Sequence, residues 1–169
     1  MRALAAGAIG AALALAAAIW LLRRRMAVVT ITGTSMAPTY ASGDRVLVRR
    51  ARLSDLRHGQ VVVVEKPAFG GGWTTRPPRG AAGSRDWIIK RVVALPGDPW
   101  PPPSAAPSPF AGLRALAATA PPPGGPVPEL SFAVQGDNPS GSFDSRIFGY
   151  CPADRLLGVV VRPLGARPG

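Results

Sequence analysis

From Ala3 to Leu22 the chain runs for 20 residues without a charge, bounded by Arg2 on one side and by Arg23, Arg24 and Arg25 on the other. At about 1.5 Å per helical residue such a run covers about 30 Å, the hydrocarbon thickness of a bilayer. It reads as a single membrane-spanning helix within an N-terminal anchor, residues 1–25. Trp20 stands near one end, where an indole suits the interface, and the arginines can reach headgroups. A cleavable secretory signal has a shorter apolar region, although the alanines around Ala14 to Ala18 imitate its cleavage site. The apolar run continues through Ile19 to Leu22, which favours the anchor. No face carries a polar residue, which argues against a buried soluble helix. The arginine count alone favours a cytoplasmic C-terminal domain.

Beyond residue 25 the pattern changes to short β-branched runs punctuated by turns. Strands are expected over AVVTIT at 27–32 and over 45–48, 60–65, 87–95, 131–135 and 156–162. The turns are SGD at 42–44, HGQ at 58–60, PGD at 96–98 and GDNPSG at 136–141. A short Ala/Leu stretch at 113–119 is the one later segment with a helical pattern. The expected fold is mainly β: one β-rich domain over 26–98 and 129–165, followed by a tail at 166–169. Residues 68–85 are rich in Gly, Arg and Pro. Residues 99–128 hold 11 of the 20 prolines and read as a flexible, polyproline-like insertion, because proline lacks a backbone donor and fixes φ.

Composition narrows the chemistry. One Cys and one His exclude a disulfide framework and argue against a structural zinc site. The formal net charge is +11, and 18 of the 20 basic residues are Arg; the two lysines are Lys66 and Lys90. A basic chain raises the possibility of nucleic acid, but the aromatic residues are not clustered as a base-stacking platform requires.

The candidate chemistry starts at GTSMAPTY, 33–40, where Ser35 sits in a turn after the first strand. A serine in such a place is usually only solvated, and a nucleophile needs a base. His58, in RHGQ, reads as an exposed turn residue. Lys90 is the better candidate. In WIIKRVV, strand alternation puts Ile88, Lys90 and Val92 on one face, and a lysine desolvated there loses affinity for its proton. Arginine cannot act this way, because its guanidinium stays protonated. A snorkelling edge lysine is the competing reading. Arg91 points to the other face and is expected to be solvated, as is Lys66.

Four segments, SMAPT at 35–39, GDRVLV at 43–48, KRVVALPGD at 90–98 and GDNPSGSFDSR at 136–146, resemble the ordered sequence boxes of the type I signal peptidases. These are membrane-bound serine/lysine endopeptidases. The resemblance implies a compact β-rich catalytic domain of that type with Ser35 as nucleophile and Lys90 as general base. It implies that Ser142 hydrogen-bonds and orients the lysine, and that Asp144 and Arg146 support the site as an ion pair. Gly136, Asp137 and Asn138 open the last box, where a glycine allows close backbone approach, and Met36 packs beneath the substrate pocket. The Ser35 backbone and Thr34 are the oxyanion candidates, because Gly33 stands where some members carry a hydroxyl. The Pro-rich stretch replaces the accessory domain of larger members.

The reaction that the resemblance implies requires no metal or organic cofactor, and the expected partners are secretory precursors and a lipid bilayer, with no nucleic acid. Twelve residues separate Leu22 from Ser35, so an extended link reaches at most about 40 Å and keeps the site near the membrane. Cutting secretory precursors calls for the extracytoplasmic face, against the arginine count. Two rivals remain: a non-catalytic basic β module on anionic lipid or nucleic acid, and a self-cleaving serine/lysine repressor-like protease. The second needs a DNA-binding head where this chain has an apolar run.

Overall fold

The computed structural model describes residues 13–17, 19–21, 23–68, 72–73, 86–99 and 125–166. Residues 13–17, 19–21 and 23–25 are helical and exposed. Among the described residues no helix is long and apolar enough to cross a membrane. The expected anchor over 1–25 falls in large part on residues outside the described set, as does the Ala/Leu stretch at 113–119.

Seven strands follow: β1 (Met26–Thr30), β2 (Asp44–Arg50), β3 (Val61–Glu65), β4 (Trp87–Ala94), β5 (Ser131–Gln135), β6 (Cys151–Pro152) and β7 (Leu156–Ala166). They form one antiparallel sheet in the order β1-β2-β7-β3-β4-β5-β6. The long connections place β7 between β2 and β3, so the C-terminal strand stitches the two halves together. A short helix, α1 (Ser145–Phe148), starts at Asp144, whose side chain accepts from the Arg146 N–H as an N-cap.

The run VVVVE in β3 explains where the core sits. All five residues are buried, as expected of a strand covered on both faces. Val62 and Val64 enter one cluster with Leu56, Val92, Phe132, Val134, Phe148, Cys151 and Val159. Val61 and Val63 enter another with Ile31, Met36, Val46, Val48, Ile89 and Leu157. Each fully buried valine contributes roughly 1.5 kcal/mol or more, so β3 is the axis of the fold. Cys151 is a free thiol in the first cluster, and burial pushes its pKa well up.

Most of the expected Pro-rich insertion lies outside the described residues, but its ends belong to the fold. Pro99 bridges Pro126, Gly97 N–H donates to the Val127 carbonyl at 2.9 Å, and Val127 N–H donates to Asp98 at 2.8 Å. Val127 packs with Ala94 and Ala133. The sequence boundary at 128 is therefore too late, because the alternation of Pro126, Val127 and Pro128 hides one core residue among prolines.

Candidate active site

The loop after β1 carries Ser35, and β4 carries Lys90. Gly33 adopts φ +83° in that loop, a left-handed conformation that side chains rarely take. The backbone explains why a glycine stands there. The turn brings Ser35 Oγ within 2.6 Å of Lys90 Nζ. Met36 turns the other way into the core and is 1% exposed, anchoring the turn from beneath.

Lys90 is 2% exposed and, opposite Val62 in the register, shares a face with Ile88 and Val92. Its ammonium also donates to the Ile89 carbonyl at 2.9 Å. Burial lowers its pKa from 10.5 to about 8. Asp144 opposes that shift while Arg146 assists it. Asp137 also opposes it, and desolvation is the largest of these influences.

Asp144 and Arg146 form the expected ion pair, with Nη2 to Oδ2 at 2.8 Å and Nε to Oδ1 at 2.9 Å. Asp144 is fully buried. Burial alone would raise its pKa, but Arg146 and the Gly136 N–H outweigh it and hold the carboxyl below its ordinary value. Gly136 has a steric reason. A Cβ there would collide with the Ser142 hydroxyl and the Ser35 carbonyl oxygen, so glycine lets the two serine segments close around Lys90.

Ser142 departs from expectation. Its Oγ is buried beside Gly136 and Asp144 but makes no well-formed hydrogen bond among the described residues, to Lys90 or to any other group. The lysine is oriented instead by Ser35 and by the Ile89 carbonyl.

The segment Gly136–Asn138 clamps the Ser35 turn. Asn138 N–H donates to the Ser35 carbonyl at 3.1 Å and its side-chain amide donates to the Thr34 carbonyl at 3.2 Å. Asp137 accepts from the Thr39 hydroxyl and takes a two-pronged bond from Arg91, with Nε to Oδ1 at 2.8 Å. Arg91 also donates to the Gly59 carbonyl at 2.7 Å. The expectation of a solvated Arg91 is therefore wrong, because the loop after β5 supplies a carboxylate on that face. His58 is exposed as expected but bonds Asp98 at 2.6 Å.

The Ser35 N–H makes no hydrogen bond among the described residues. The Thr34 carbonyl is locked by Ala37 N–H and Asn138, and its hydroxyl is exposed. Among the described residues no group of three or more His, Cys, Asp or Glu could hold a metal.

A groove of about 730 Å³ leads away from the serine, lined by Ala27 to Thr30 on one side and Asp86 to Ile88 on the other. A recess of about 60 Å³ continues it to Ser35. β1 is the end strand of the sheet, and β4 pairs with β5 only from Arg91 onward.

Residues 3–99 and 109–164 match the family model described as signal peptidase, peptidase S26. The chain belongs to this family. It is 31% identical over 137 residues to a probable signal peptidase I-2 of Synechocystis sp., across 76% of this chain. The aligned region spans 58% of that relative's length. Membership accounts for the four boxes as one constellation: three of them meet at Lys90, and GDRVLV, as β2, builds the wall behind Met36.

Proposed function

We propose that this protein is a membrane-anchored signal peptidase that removes N-terminal signal peptides from secretory precursors through a Ser35/Lys90 dyad, on the extracytoplasmic face. The observation that carries the reading is the 2.6 Å approach of Ser35 Oγ to a buried lysine whose pKa falls to about 8.

In this mechanism neutral Lys90 accepts the Ser35 proton as the oxygen attacks the scissile carbonyl. The free Ser35 N–H stabilises the oxyanion, with Thr34 as second donor. Protonated Lys90 then gives its proton to the leaving amine, and an acyl-enzyme remains on Ser35. A water deprotonated by Lys90 attacks that ester and regenerates the serine. The substrate enters as an extended strand between β1 and the first half of β4 and pairs with main-chain groups there. The uncharged run at 3–22 is the anchor in this reading.

The test is cleavage of a model precursor by purified full-length protein. Ser35→Ala and Lys90→Arg are expected to abolish it while far-UV circular dichroism stays unchanged. Cleavage retained by Lys90→Arg would overturn the dyad. Accessibility of the Pro-rich stretch to protease added outside intact cells tests the placement, and full protection defeats it.

A further inference from the structure

The groove has two ends of different chemistry. One meets Ser35. At the other, β2 finishes with Arg49 and Arg50, β3 is followed at once by Lys66, and β1 begins directly after Arg23, Arg24 and Arg25. The register puts these together at one end of the sheet: Met26 pairs with Arg49, Arg50 with Gly158, and Glu65 with Trp87. Arg50 and Lys66 line the groove there, with Asp86 as its one carboxylate.

Arg49, Arg50 and Lys66 are exposed, and none of them has an ion-pair partner among the described residues. This differs from the arginines nearer the catalytic pair, since Arg91 and Arg146 are both tied to carboxylates. The guanidinium of Arg24 lies 3.8 Å over the Trp20 ring, an aromatic–cation pair suited to a headgroup layer. Free cations on one rim, continuous with an apolar segment, have the chemistry of an anionic lipid surface.

We propose that Arg49, Arg50 and Lys66 form a docking rim for the phosphate headgroups of an anionic bilayer. Docking there sets the far mouth of the groove on the membrane surface, so that a precursor leaving the bilayer enters directly and reaches Ser35 in extended form. The routing of the precursor rests on the proposed peptidase function; the docking itself does not.

The test reconstitutes the full-length protein into vesicles of phosphatidylcholine alone and of phosphatidylcholine with phosphatidylglycerol. Hydrogen exchange of amides at 49–52 and 66–68 is followed, with β3 amides as the control for folding. Slower exchange of the rim is expected in anionic vesicles only, weakening about fivefold for each charge removed in Arg49→Gln, Arg50→Gln and Lys66→Gln. Equal exchange in both vesicles, or protection unchanged in the triple variant with β3 intact, overturns the rim. The same protection from glycerol phosphate in solution also overturns it, in favour of a free phosphate ligand. Because exchange needs no cleavage, an inactive protein that shows the lipid effect defeats the proposed function alone. An active one that lacks it defeats the rim alone.

Discussion

Lys90 and Arg91 are neighbours on β4, and the two faces of the strand give them opposite fates. Lys90 is sealed among valines, and its one side-chain partner is a neutral hydroxyl, so its charge is poorly supported. Arg91 forks onto Asp137 at the rim, one-third exposed, and that pairing raises its pKa further. One basic residue is made able to release a proton and the next is made unable to. The buried lysine and the clamp on the Ser35 turn are thus separated by one peptide bond.

Breaking the comparison outright has the largest effect. Exchanging Lys90 for Arg puts a permanent cation in the buried position, and precursor cleavage is expected to fall at least about a thousandfold. Removing the buried charge should do the reverse for stability. Lys90→Met, inactive, is expected to be about 2 kcal/mol more stable at neutral pH, read by urea denaturation, because a pKa lowered from 10.5 to about 8 marks an unfavourable buried cation.

On the other face, Arg91→Gln leaves Asp137 without its two-pronged partner. It should cost about 1–3 kcal/mol and reduce kcat more than KM, since the loss acts through the Ser35 turn. The pH profile sharpens the contrast. Cleavage should rise with pH through about 8 as Lys90 loses its proton, and fall away below it. Arg146→Gln leaves the Asp144 charge less compensated, so the midpoint should move up, whereas Asp144→Asn should move it down. The smallest effect belongs to Ser142→Ala, expected within about 1 kcal/mol of wild type in stability, because its hydroxyl has no well-formed bond to lose.

Six strands were legible because their valines and isoleucines alternate or run together between glycine turns. β6 was not, since two residues carry no period. The Lys90 environment was half legible. Alternation put it with Ile88 and Val92, but the ion pair of Asp144 and Arg146 was visible only through the family resemblance. Asp137 holding Arg91, 46 residues away, left no local signal, because the side chains meet only once β4 and β5 are paired. The cap on α1 could have been read, since an Asp before Ser-Arg-Ile-Phe is a helix start. The missing Ser142 contact shows the opposite limit. A matching residue fixes a side chain's identity without fixing its bonds.

β4 pairs with β3 from Trp87 to Arg91 and with β5 from Arg91 onward. Its first half looks across the groove at β1, the end strand of the sheet. Unpaired edges invite other sheets to join, and proteins commonly protect them with charge, bulges or covering loops. Here the two strands face one another across the groove. A strand turned toward a groove wall is less open to the flat edge of a second folded molecule than one turned to solvent, so the arrangement that makes the groove also limits self-association.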